Sequence, residues 1–148
     1  MPLLKAKKEK TIFLHSGFRC GSTFFFDAVK NSKRVVKYYE VYNDFLSNMS
    51  FKKLKNVGSK SWISKHPYIQ SYFLSYSNFF KNKKNAKLIK LIKNFKNTKR
   101  VSVNEKNYFN ALIQKNKLSC FFNTGYLKKI ENLKNSIGGY HLLLIRNP

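Results

Sequence analysis

The chain has 148 residues, 43% hydrophobic and 16% aromatic, which suffices for one packed domain and excludes a disordered polymer. Lysine and arginine number 30 against 6 aspartate and glutamate, a formal charge of +24, which favours polyanionic partners: nucleotides, nucleic acid, acidic lipid, or sulfated and phosphorylated substrates. Two cysteines, Cys20 and Cys120, make neither a disulfide framework nor a zinc site, and no run approaches the roughly 20 apolar residues of a membrane span, so a cytoplasmic protein is expected.

The basic leader at residues 5–10 is too short and polar for a signal peptide. Thr11 to Leu14 is β-branched, aromatic and aliphatic, the profile of a buried strand. The loop that follows carries Gly17 and Gly21, which permit positive φ and close approach of the backbone to a bound group. Ser22 or Thr23 can cap the next helix, whose free N–H groups and dipole favour an anion. Arg19 adds a cation inside the loop. Residues 24–30 read as that helix, with Phe25, Phe26 and Val29 inward.

Arg34 to Tyr39 reads as a second strand, ending at Glu40. A short helix or turn over Val41 to Leu46 and a polar loop over residues 47–60 follow. Pro67 suits a helix start, and Tyr72, Phe73, Tyr76 and Phe80 recur at helical spacing. Residues 81–100 are the most lysine-rich. Leu88, Ile89, Ile92 and Phe95 on one face predict a basic amphipathic helix, taken as an insertion within the domain. Asn104 is a possible cap for a helix over Glu105 to Gln114. Leu118 to Phe122 is a strand ending at Asn123. Gly125 to Asn135 is a helix with Leu127, Ile130 and Leu133 inward, closed by Gly138 and Gly139. Tyr140 to Ile145 is a nearly continuous apolar run, expected as a strand buried on both faces, and it delivers Arg146 to its end.

Strands alternating with helices imply βαβ units: an α/β fold with a parallel sheet flanked by helices. Ligands in such sheets bind beyond the carboxyl ends of the strands. The loop at Ser16–Thr23, Glu40, Asn123 and Arg146 all fall at predicted carboxyl ends and should share one edge.

The loop departs from the nucleotide triphosphatase pattern G-x-x-x-x-G-K-[ST]. Gly17 and Gly21 are one residue closer, Ser22 follows Gly21 directly, and the cation is Arg19 rather than a lysine. His15-Ser16-Gly17-Phe18-Arg19-Cys20-Gly21-Ser22-Thr23 resembles the 5′-phosphosulfate loop of sulfotransferases that use 3′-phosphoadenosine 5′-phosphosulfate, a family of the P-loop superfamily. Tyr39-Glu40 is similar to that family's Tyr/Phe-Glu-Pro segment, with Val41 in place of the proline. Ser61-Trp62-Ile63-Ser64-Lys65-His66-Pro67 resembles a Ser-Trp-x-Ser-x-His-Pro stretch of bacterial members. Leu143 to Pro148 resembles the start of the 3′-phosphate motif.

The resemblance implies metal-free transfer of a sulfuryl group to a hydroxyl or amine acceptor, a carbohydrate among the options. It assigns Arg19 to the bridging or leaving phosphate oxygens. The 5′-phosphate falls to the loop Gly17, Phe18, Arg19, Cys20, Gly21, Ser22 and Thr23, and the 3′-phosphate to Arg146. Glu40 and His15 are the candidate acceptor bases. Each has a plainer reading, Glu40 as a surface ion pair, His15 as a hydrogen-bonded strand end and Cys20 as loop filler. The family's pattern continues past Pro148, so these residues are expected to form an incomplete domain, inactive by itself. A basic nucleic-acid-binding module and a P-loop kinase-like protein are the alternatives.

Overall fold

A computed structural model of the chain describes residues 10–18, 20–29, 31–56 and 72–146. Arg19, the basic leader and the Ser61–Pro67 stretch with Trp62 and His66 lie outside the described residues. Four strands, β1 (Thr11–Ser16), β2 (Val35–Tyr38), β3 (Leu118–Thr124) and β4 (Tyr140–Leu144), form one parallel sheet in the order β2-β3-β1-β4. The chain therefore has the expected α/β fold. The connection after β1 runs outward over β3 to reach β2, and that after β3 runs the opposite way over β1 to reach β4. Because such crossovers are right-handed, they place helices on opposite faces and open a crevice at the carboxyl ends of β1 and β3.

Alternation along the strands sorts the core into two aromatic layers. Helix α1 (Ser22–Val29) covers one face: Phe26 lies 5.5 Å from Phe122 and 5.0 Å from Tyr39, ring centre to ring centre. On the other face Phe13 and Phe121 meet Phe109 at 5.4 and 5.2 Å. Tyr72 packs on Tyr39 at 4.3 Å and Tyr76 on Tyr38 at 5.1 Å, so the turn at Leu74–Tyr76 wraps the free edge of β2. Phe109 belongs to α7 (Val103–Leu112), which packs against α5 (Lys83–Ile89). Helices α2 (Asp44–Ser47), α3 (Phe51–Asn56), α4 (Ser77–Lys81) and α6 (Ile92–Lys96) complete that layer, and α8 (Ile130–Ser136) leads to β4. Among the described residues no helix is long and apolar enough to cross a membrane.

Several local expectations are corrected. Helix α1 starts at Ser22, so Gly21 takes the cap position at φ 84, and its carbonyl accepts from the Phe25 N–H. Phe26 is 1% exposed but Phe25 is 43% exposed, because only Ser22, Phe26 and Val29 share the inner face. The expected loop after Ser47 contains α3, which seats Leu54 in the core. The lysine-rich segment is two helices, α5 and α6, broken at Lys90–Leu91, although Ile89, Ile92 and Phe95 are buried as the spacing predicts. Ser102, not Asn104, caps α7, its hydroxyl accepting from Glu105 N–H at 3.1 Å. Leu127 is largely exposed, and Lys129 beside it is fully buried. Strand β4 is the edge of the sheet: Tyr140, Leu142 and Leu143 are 61, 51 and 49% exposed, and Ile145 just past it is 81% exposed.

Lys129 is buried because it has a partner. Its ammonium donates to both oxygens of Glu105, at 2.8 and 3.0 Å, and to the carbonyl of Phe95. Tyr42 donates to the same carboxylate, and both charged side chains are wholly excluded from solvent. Removing one member of such a pair strands the other in a dry interior. Lys129→Met is therefore expected to lower stability by about 3–5 kcal/mol in urea unfolding. Adding Glu105→Leu should restore most of that loss, less a remainder for the stranded Tyr42 hydroxyl.

Candidate active site

The crevice is built from the ends of three adjacent strands. Ser16 closes β1 and Thr124 closes β3; they are opposite in register, with hydroxyls 3.3 Å apart. The Gly125 N–H donates to the Ser16 carbonyl at 2.9 Å, joining the two strand ends. Glu40 follows β2 at φ 49, a left-handed conformation that costs a side-chain-bearing residue roughly 1–2 kcal/mol. Strained residues of this kind persist where the surroundings fix them, often at functional sites.

The loop folds tightly above this floor. A side chain at Gly17 would press on the Cys20 sulfur at 3.3 Å, and the Cys20 thiol itself donates to the Phe18 carbonyl at 3.6 Å. Phe18 is 81% exposed, its ring lying over Gly125, where an added Cβ would stand 3.2 Å from it. Gly21 faces open space, with no atom within 4 Å of an added Cβ. The first amides of α1, from Ser22 onward, have no acceptor within the helix and carry the positive end of its dipole. Thr23 is anchored from below by the Tyr39 hydroxyl at 3.1 Å. Open backbone, free N–H groups and two hydroxyl residues fit a phosphate or sulfate group.

The electrostatics of the two candidate bases differ. Burial pushes the Glu40 carboxyl up to about 7, against the opposing pull of hydrogen bonds from Thr124 and the Lys96 charge. Lys96 remains only partly available to it, being paired with Asp44 at 2.7 Å. His15 is 1% exposed and pushed down to about 4 by burial, then by His141. The two rings stack, with His15 Nε2 2.9 Å from His141 Nδ1, and His141 Nε2 lies 3.2 Å from the Gly138 carbonyl. The consistent tautomers have His141 Nε2–H donating to Gly138 and His15 Nε2–H donating to His141. His15 Nδ1 is then left as an acceptor, and it has no hydrogen-bond partner among the described residues. Asn123, opposite His15 in register and 1% exposed, likewise has both amide atoms unpaired.

The structure thus brings Ser16–Phe18, Cys20–Thr23, Glu40 and Asn123 to one sheet edge. Arg146 stands exposed just past β4 at that same edge, since Ser16 pairs with Leu144. Sequence reasoning missed Thr124, hidden as one polar residue after an apolar strand, and His141, hidden inside the apolar run of β4. No family model matches the chain, and neither a curated protein nor a solved structure matches it.

The two bases act oppositely on stability. His15, lowered on folding, stabilises fully above about pH 6.5 and loses that contribution as pH falls towards about 4. Glu40, raised on folding, stabilises at low pH and loses that contribution as pH rises from about 4.5 through about 7. Over the shared window they offset one another. In Glu40→Gln, acidification from pH 6.5 to 4.5 is therefore expected to cost up to about 2–3 kcal/mol more than in wild type, read from urea midpoints at each pH. Adding His15→Gln should flatten that excess.

Proposed function

We propose that the chain is a sulfotransferase-like protein. It binds 3′-phosphoadenosine 5′-phosphosulfate through the loop at residues 16–23 and serves transfer of a sulfuryl group to a hydroxyl or amine acceptor. The observation that carries this reading is the strand–loop–helix at the centre of the parallel sheet, with Gly21 open above the first amides of α1. The loop's likeness to the phosphosulfate loop, with a cation two residues before Gly21 and two hydroxyls after it, supplies the identity of the anion. When bound, the donor supplies an activated sulfuryl group on a phosphate leaving group. The amides of Ser22 and Thr23 and their hydroxyls hold the 5′-phosphate oxygens, and Arg19 neutralises charge on the leaving group. Arg146 serves the 3′-phosphate from the far side of β1.

Glu40 accepts the acceptor's proton. A base poised near neutrality both exists in its charged form at pH 7 and retains proton affinity. His15 has the geometry of a buried support for β4 rather than a group that touches an acceptor. Exposed Phe18 beside Gly125 offers a flat apolar surface at the mouth, compatible with the ring of a carbohydrate acceptor. The free thiols of Cys20 and Cys120 suit a reducing, cytoplasmic setting.

Calorimetric titration with adenosine 3′,5′-bisphosphate, with and without Mg²⁺, tests the reading. Binding is expected to be independent of metal and weakened about tenfold or more by Arg19→Ala, the loss of a charge-assisted contact. Mg²⁺-dependent ATP binding without bisphosphate binding would instead identify a kinase-like protein. Oligonucleotide binding with a steep salt dependence and no preference for the bisphosphate would identify a nucleic-acid module.

A further inference from the structure

The lysine-rich segment carries a regularity that composition does not require. Lys84, Lys87, Lys90, Lys93, Lys96 and Lys99 recur at every third position. Residues three apart on a helix share a face, about 4.5 Å apart along its axis. The break between α5 and α6 preserves the row. There the Leu91 N–H donates to the Leu88 carbonyl at 3.1 Å, and the Asn94 N–H donates to the Leu91 carbonyl at 2.9 Å. Bonds to the third residue back make a 3₁₀ turn, in which side chains three apart eclipse. The row therefore crosses from α5 to α6 instead of winding away. All six side chains except that of Lys96 are exposed. No aspartate or glutamate occurs from Phe45 to Asn104, and like charges three apart on a helix repel.

The row ends at the crevice. Lys96 is paired at 2.7 Å with Asp44, which opens α2 directly after the turn at Glu40–Asn43, and α6 packs against α2. The Phe95 carbonyl accepts from Lys129, in the segment after Gly125, whose N–H is bonded to Ser16. We propose that this row is the docking surface of an anionic polysaccharide, which lies along α5 and α6 and leads one of its sugars into the crevice at Glu40. As an account of the acceptor this rests on the sulfuryl-transfer reading; as an account of a binding surface it does not. The residues around the row favour a polysaccharide over other polyanions. Asn94 and Asn97 stand exposed between the lysines, and their amides both donate to and accept from hydroxyls. Single-stranded nucleic acid is held by stacking on aromatic rings, and the ring of this segment, Phe95, is 3% exposed. A membrane surface takes a helix whose apolar face is free, whereas Ile89, Ile92 and Phe95 lie in the core.

The test is calorimetric titration of the full chain with a heparin fragment over a range of salt. Wild type is expected to bind with an affinity that falls steeply as salt rises, because binding releases counterions. Lys87→Gln, Lys90→Gln and Lys93→Gln together keep helix propensity and leave the Lys96–Asp44 pair intact. They should weaken binding about tenfold or more and flatten its salt dependence. The control is Lys33→Gln, Lys115→Gln and Lys117→Gln, an equal loss of charge at exposed residues before β2 and β3, at the opposite end of the sheet. It should change binding less than about twofold, since distant exposed charges are screened. Equal weakening in the two triple variants overturns the proposal, as does a wild-type chain that does not bind the fragment. Tighter binding of a single- or double-stranded oligonucleotide, or of anionic vesicles, at matched charge overturns it too. So does displacement of the fragment by adenosine 3′,5′-bisphosphate, which would put the polysaccharide in the loop at residues 16–23. Row-dependent binding of the fragment in a chain that does not bind the bisphosphate would uphold the docking surface and remove the sulfuryl-transfer reading.

Discussion

The buried pair of Lys129 and Glu105 is the constraint on which the helical layer and, through it, the crevice depend. Each ammonium proton has a destination in Glu105 or the Phe95 carbonyl, and the cation also lies 5.1 Å from the centre of the Tyr42 ring. One side chain thereby ties the turn before α8 to α7, α6 and the segment after β2. Taking two charges out of water is expensive, so this arrangement is valuable less as net stability than as a condition that only one packing satisfies. The consequence reaches Glu40 directly. Tyr42 donates to Glu105, the Tyr108 hydroxyl donates to the Val41 carbonyl at 2.9 Å, and the Tyr76 hydroxyl donates to the Tyr39 carbonyl at 3.3 Å. Residues on both sides of Glu40 are pinned from the core, which is how a left-handed glutamate is sustained.

The same economy explains how a chain with a formal charge of +24 folds. Most described lysines sit on exposed faces, where water and salt screen them and their stems can cover apolar surface. The interior is instead built from phenylalanine and tyrosine, large side chains that fill two layers with few residues. Tyrosine adds hydroxyls that satisfy buried carbonyls, as Tyr38 does for Leu112 at 2.7 Å. A core of aliphatics would leave those carbonyls unpaired.

Strand positions were legible in the sequence because β1 and β3 are short apolar runs bounded by turn residues. The shared edge was legible because parallel sheets bind ligands at strand carboxyl ends. Helix limits were not, since Gly21 and Ser102 cap through geometry that neighbouring serine, threonine and asparagine could equally have supplied. Lys129 was invisible for a different reason. Lys128-Lys129 reads as solvated charge in a chain full of lysine, and only the distant Glu105 makes burial tolerable. Strand β4 misled in the opposite sense: its apolar run reads as a doubly covered strand, yet it forms the edge, with apolar side chains exposed on both faces. Thr124 and His141 went unread because their significance lies in register. One residue of slip would remove Thr124 from Ser16 and turn it to the other face.

Burial also explains how the Glu40 carboxyl is pushed above its ordinary range in so cationic a chain. A surplus of lysines should lower every carboxylate, and an exposed Glu40 would be fully charged and weakly basic at pH 7. Burial opposes this and prevails, because exposed cations act through screened solvent whereas desolvation acts at the carboxyl itself. Lys96, the cation among the described residues that pulls on Glu40, is itself held by Asp44 at 2.7 Å. Hydrogen bonds from Thr124 pull the same way as the Lys96 charge, towards the ionised form, and burial outweighs both. A direct lysine partner would have drawn the carboxyl down towards a permanent anion; with Lys96 already paired to Asp44, burial is left to hold the group above its ordinary range.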